Sequence, residues 1–91
     1  MNTTRYRRHA DVRLTDVGGE GVVLHLGERR YFSLNETGLT LLGALAEPRT
    51  LPELVASLCE EYEVTAVEAE STARAFLEQC LAAAVVVVSE P

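Results

Sequence analysis

Tryptophan is absent from this 91-residue chain, and three Tyr and two Phe are its only aromatic residues. An aromatic-rich core is excluded, so aliphatic side chains must carry the packing. Lysine is absent as well, which is a bias of composition and points to no function. Cysteine is scarce: Cys59 and Cys80 have no C-x-x-C partner spacing, which argues against a structural metal site. They read as reduced core residues. No glycine-rich phosphate loop is present, because Gly18-Gly19-x-Gly21 precedes a strand and not a helix. The longest apolar run, Leu81 to Val88, falls far short of the roughly 20 residues that span a bilayer. The opening MNTTRYRRHA has no apolar stretch of the kind a secretory signal needs. The chain is expected to be cytoplasmic, with no membrane partner.

Apolar residues nevertheless make up 47% of the chain, enough for one folded core. A chain of this length forms one domain and buries roughly 60–65% of its unfolded surface. That leaves no room for a deep active-site cavity. Net charge is −6, unevenly spread. Residues 1–13 carry +3 through Arg5, Arg7, Arg8 and Arg13 against Asp11, and the rest carries −9. A basic arm on an acidic body is a poor nucleic-acid binder.

Taken in order, residues 1–9 read as a basic flexible arm, 10–88 as the folded domain and 89–91 as a tail. Ala10 to Thr15 alternates as a first strand, and Asp16-Val17-Gly18-Gly19 is a turn. Gly21 to Leu26 is a second strand, and Gly27-Glu28 reads as a two-residue hairpin turn. The third strand, Arg30-Tyr31-Phe32-Ser33-Leu34, runs into a helix at Asn35, whose side chain suits an N-cap. That helix is expected over about Glu36 to Glu47, with Gly38 in its first turn for close backbone approach. Thr50-Leu51-Pro52-Glu53 and Thr65-Ala66-Val67-Glu68 are capping boxes that open two more helices. The stripe Leu51, Leu54, Val55, Leu58, Cys59 and Tyr62 marks the buried face of the second. The third, about Ala66 to Ala83, carries two apolar rows, Ala69-Ala73-Phe76-Cys80 and Ala73-Leu77-Leu81-Ala84. Val85 to Val88 is β-branched and should close against the hairpin sheet. The fold class expected is α+β: a winged helix-turn-helix with a three-stranded antiparallel sheet followed by three helices. Phe32, Leu34, Leu39, Leu42, Leu58 and Leu77 are expected core residues.

A search for catalytic constellations finds none. His25 lies in a strand and reads as a sheet-face residue, and Cys80 with His25 is the only thiol–imidazole pairing worth naming. No cofactor, catalytic residue or metal ligand is expected. DNA binding is the competing expectation for a winged-helix pattern, but the first turns of the third helix hold Glu68 and Glu70 and no base. Carboxylates there would repel phosphate.

Val22-Val23-Leu24-His25-Leu26, then Tyr31-Phe32-Ser33-Leu34-Asn35-Glu36-Thr37-Gly38 and Leu42, resembles the PqqD-like domains known as RiPP recognition elements. Their pattern is a hairpin, Y-x-x-L-N-x-T-G, and an apolar helix. A second helix ending in Tyr62-Glu63-Val64 and a last helix with Phe76-Leu77 extend the resemblance over about residues 10–88. Leu42 stands where many members carry Trp, and Thr72 where an acid is often found.

The resemblance implies a protein that is not an enzyme. Such domains bind the leader of a ribosomally made precursor peptide as a strand beside the third strand, against the third helix. They hand it to modifying enzymes. Free-standing versions resemble the recognition proteins of lasso peptide pathways, whose partners are a leader peptidase and a cyclase. A quinone-pathway version would partner a radical enzyme instead. On this reading the leader meets Arg29, Arg30, Tyr31, Phe32, Ser33 and Leu34 on the strand. Ala73, Phe76, Leu77 and Cys80 face it from the helix. Glu68 and Glu70 would attract a basic leader end. The chain is expected to be a monomer or weak dimer, its strand edge being able to pair between copies.

Overall fold

A computed structural model describes residues 4–89. The order is β1 (Arg5–Arg8), β2 (Val12–Val17), β3 (Glu20–His25), β4 (Arg30–Leu34), α1 (Glu36–Ala44), β5 (Arg49–Thr50), α2 (Leu51–Glu61), α3 (Ala66–Ala82) and β6 (Val86–Ser89). The architecture is α+β of winged-helix type. Strands β2, β3 and β4 form an antiparallel meander. Gly18 and Gly19 join the first pair with φ of 64° and 90°, the two positive values a type I′ turn requires.

The second turn is longer than the expected Gly27-Glu28. His25 pairs with Arg30, so residues 26–29 make a four-residue loop, still centred on Gly27 and Glu28. Arg29 adopts φ 54°, and the Glu28 N–H is held by His25 Nδ1 at 3.1 Å. That bond consumes the donor a tight two-residue turn would leave outside.

The expected arm is a strand where it is described. Arg5–Arg8 pairs antiparallel with Val86–Ser89 on one side and with β5 on the other. Tyr6 packs on the core from this strand. The valine run therefore closes against β1 in a second sheet, and not against the hairpin sheet. Residues 1–3 of the expected arm, and 90–91 of the tail, lie outside the described residues. Helix α1 stops at Ala44 instead of Glu47. The Leu45 carbonyl accepts from Arg8 N–H (3.1 Å) and Arg49–Thr50 pair with β1, so β1 draws the chain out of the helix.

Local chemistry fixes the other helix starts. The Asn35 side chain accepts from Gly38 N–H at 2.8 Å. In each box the threonine hydroxyl accepts an N–H from the third helical residue, and that residue's glutamate accepts the threonine N–H. Helix α3 ends with the Ala84 N–H on Leu81 O (3.2 Å) and the Val85 N–H on Cys80 O (2.9 Å). This is a Schellman motif with alanine, at φ 60°, where glycine is usual.

Leu41, Leu42, Leu45, Leu54 and Leu58, all at most 2% exposed, form the centre of the core. Leucine does the work of the missing aromatics. Leu77 is buried as expected, whereas Phe32, Leu34 and Leu39 are half-buried at the margin. Cys59 is exposed, against expectation, and only Cys80 is buried. His25 is also buried, at 2%, on the inner side of β3 with Gly21 and Val23. Its Nδ1 accepts from Glu28, so Nε2 carries the proton and donates to Ala84 O at 3.1 Å. The ring ties the hairpin loop to the end of α3 and rests against His9, centroids 4.7 Å apart.

Candidate functional site

Strand β4 is an edge of its sheet: β3 pairs with one side, and among the described residues no strand pairs with the other. Alternate N–H and C=O groups of a strand point away from its partner, so β4 presents a row of them outward. Helix α3 runs beside this edge. Between them lies an open groove with a cavity of about 530 Å³. Ser33, Leu34 and Asn35 line it from the strand end, Thr37 and Gly38 from α1, and Ser71, Thr72, Ala75, Phe76 and Gln79 from α3. Thr72, Ala75, Phe76 and Gln79 recur at i, i+3, i+4 and i+7, one helical face, with Ser71 flanking it.

Glycine lets the wall come close. A Cβ on Gly38 would sit 3.2 Å from Leu34 Cβ, and one on Gly21 would meet the same atom at 3.2 Å. Leu34 is thus clamped between two glycines, which sets the start of α1 directly against the end of β4. A smaller pocket of about 160 Å³ continues the groove toward the start of β4, lined by Phe32, Phe76, Gln79, Cys80 and Val85 among others. Burial pushes the Cys80 thiol up to about 11. A thiol so held is protonated near neutrality and is an apolar lining, not a nucleophile. Arg30 lies over the Phe32 ring, its guanidinium carbon 5.2 Å from the centroid.

The structure brings together Phe32, Ser33, Leu34, Phe76 and Cys80 of the expected site. Arg30 joins them through the Phe32 ring and Arg29 precedes it at the start of β4, but neither lines the groove. Tyr31, Ala73, Leu77, Glu68 and Glu70 are placed elsewhere. Tyr31, 77% exposed, points to the opposite face of the sheet from Phe32, as the two-residue period of a strand demands. Ala73 has no exposed surface and Leu77 has 5%; both face the core. Glu68 is held by the Thr65 capping box, and Glu70 by Arg74 at 3.0 Å. Thr72, Ala75 and Gln79 line the groove and were not among the expected residues. The signal that could have found them is the same helical period, started one row over from Phe76.

Residues 20–86 match the family described as Coenzyme PQQ synthesis protein D (PqqD). The chain belongs to the PqqD family. No curated protein matches it. Two solved structures resemble this PqqD-family chain. One, TbiB1 in complex with the TbiA(beta) leader peptide, is 26% identical with a TM-score of 0.82 and covers 93% of this chain and 99% of that one. The other, lasso peptide synthetase B1 complexed with the leader peptide, is 20% identical with a TM-score of 0.77 and covers 90% and 96%. Among the described residues of this PqqD-family chain no three metal-binding side chains cluster, and no helix is long and apolar enough to cross a membrane.

Proposed function

We propose that this chain binds the leader segment of a ribosomally made precursor peptide and delivers it to modifying enzymes, supplying affinity and not chemistry. The leader would add as a strand to β4 and lie in the groove along α3. The observation that carries this reading is the unpaired β4 edge facing a groove of about 530 Å³ in a PqqD-family chain. Both resembling structures hold leader peptides, which supports it. The second, a lasso peptide synthetase B1, also favours a lasso peptide pathway; on that reading a leader peptidase would receive the peptide, with a cyclase as a further partner.

Backbone pairing alone is not enough. Each added bond contributes a net of about 0.5–1.5 kcal/mol. A micromolar complex needs about 8 kcal/mol after association costs are met. Anchoring side chains must therefore seat in the groove. Phe76 and Cys80 offer an apolar slot beside Phe32, while Thr72, Gln79 and Ser33 offer neutral hydrogen-bonding groups. Arg29 and Arg30, at the start of β4, suit an acidic leader end.

The test is a titration. A fluorescein-labelled peptide enriched from a displayed random library on the full chain is followed by anisotropy against wild type and Gln79→Arg. The arginine side chain projects into the groove from an exposed position. Affinity should fall at least tenfold in a folded variant, and unchanged affinity refutes the groove. The family name itself favours a second reading, a peptide chaperone for a radical enzyme in quinone biosynthesis. A transglutaminase-like peptidase gene beside this one would support the lasso reading, and a radical-enzyme gene the other.

A further inference from the structure

The groove does not stop where β4 does. Past Leu34 it adjoins a further pocket of about 150 Å³, lined by Thr37, Leu58, Tyr62, Val64, Ala69 and Thr72. Thr37 and Thr72 line both this pocket and the central cavity, so the two are continuous. The pocket has a built wall. Tyr62 donates its hydroxyl proton to Glu36 O (3.3 Å) and accepts from Thr40 Oγ1 (2.9 Å), which fixes the ring against α1. The floor is Leu58 and Ala69, at most 2% exposed, and the rim is Val64, 38% exposed. The Val64 N–H is tied to Tyr62 O at 3.0 Å, so the rim is held in place.

We propose that this pocket is a second anchor site, taking one apolar side chain of the bound peptide from the flank that leaves the β4 edge beyond Leu34. The proposal rests on the groove reading and extends it past the paired strand. A dry cavity of about 150 Å³ accommodates benzene, so a branched aliphatic or phenyl side chain is the right size. Glu36, Glu61, Glu63 and Glu68 are exposed on the elements around the pocket and disfavour an acidic side chain there. The occupant is the same peptide, because a chain paired along β4 that continues past Leu34 along the shared wall of Thr37 and Thr72 reaches this pocket. Tyr62-Glu63-Val64, a segment the strand-addition mode leaves without a role, becomes part of the site.

The probes are fluorescein-labelled peptides enriched from the displayed random library on the full chain, titrated against wild type, Val64→Asp, Val64→Ser and Gln79→Arg. Enriched sequences should carry an apolar residue at a fixed offset outside the segment that pairs with β4. Val64→Asp should weaken binding about tenfold and Val64→Ser less. Replacing the apolar flank residue by Ser should cost the same factor, and Val64→Asp should then add nothing. The Val64 methyl resonances should shift on peptide addition. Loss in Gln79→Arg with affinity within twofold of wild type in both Val64 variants, or unmoved Val64 methyls, overturns the second anchor and leaves the groove standing. Affinity unchanged in Gln79→Arg, or no binder recovered, overturns the groove and the anchor with it.

Discussion

Arginine at position 73 and arginine at position 75 should have opposite consequences, although both replace alanine on the same helix two residues apart. Two residues turn an α-helix by about 200°, so the pair tests the rotational phase of α3. Ala73 has no exposed surface and sits in the core row with Ala69 and Leu77. No buried side-chain carboxylate is available to meet a guanidinium there, since His25 is the only buried polar or charged residue among those described. An uncompensated buried charge costs several kcal/mol, against a whole-domain stability of about 5–15 kcal/mol. Ala73→Arg should therefore lose most or all of its cooperative urea transition. Ala75 is exposed and lines the cavity. Ala75→Arg should stay within about 0.5 kcal/mol of wild-type stability while lowering affinity for a groove-binding peptide at least tenfold. Urea denaturation followed by circular dichroism reads the first effect, and anisotropy the second. A folded, non-binding Ala73→Arg beside a fully binding Ala75→Arg would mean that α3 presents the other row to β4.

Thiol reactivity should split the cysteines: at pH 8 the exposed Cys59 reacts promptly with a maleimide, while Cys80 reacts only as the chain unfolds, and equal rates would contradict the packing. Cys80 is raised by burial from an ordinary value of 9.0 to about 11, so its contribution to stability is whole below pH 9 and is lost as pH rises to 11; Cys80→Ala should flatten melting temperature against pH in that window. Glu53 is held below the usual carboxylate value first by the Thr50 N–H, so its contribution is whole above the unfolded value and is lost as pH falls through the lower folded one. Glu53→Gln should lose less melting temperature than wild type between neutral and acid pH, and coincident slopes would refute the assignment. Ala84→Gly should stabilise by about 0.5–1 kcal/mol, because glycine relieves the φ of 60° at a smaller cost in unfolded-chain entropy. A melting temperature equal to or below that of wild type would count against it.

The parts legible in the sequence are those whose cause is local. Asn35 accepts from an N–H three residues on, and each threonine box closes within four residues, so the starts of α1, α2 and α3 follow from the residues alone. The hairpin centre is local in the same sense. The pairing of β1 with β6 is not, since it joins the two ends of the chain. Nothing in Arg5-Tyr6-Arg7-Arg8 says that its partner is a run of valines. The site falls between these cases. Period two, applied strictly to β4, separates Tyr31 from Phe32 and was available from the start. On α3 the period shows which residues share a face, but adjacent rows differ only by what packs against them. Hydrophobicity selected Ala73, Phe76, Leu77 and Cys80, of which Ala73 and Leu77 belong to the core row. The groove row, Thr72-Ala75-Phe76-Gln79, has one large apolar member and looks like surface.

That row shows how one helix can line a groove and pack the core without either compromising the other. Ala69, Ala73 and Leu77 face α2 and the core, and the small residues let the helix sit close. Glu70, Arg74 and Glu78 are exposed, with Glu70 and Arg74 paired. Between these faces runs the groove row, uncharged along its length. In a DNA-binding winged helix the corresponding helix must offer cations to phosphate; here its first turns offer Glu68 and Glu70. The uncharged row lies instead beside an unpaired strand edge. Desolvating neutral Thr72 and Gln79 costs far less than desolvating a charge, and each can hydrogen-bond an incoming peptide. On the proposed reading a bound peptide would itself close the β4 edge. An edge left open is a template for any strand; on the same reading selectivity would come from the side chains of α3 that any added strand must fit.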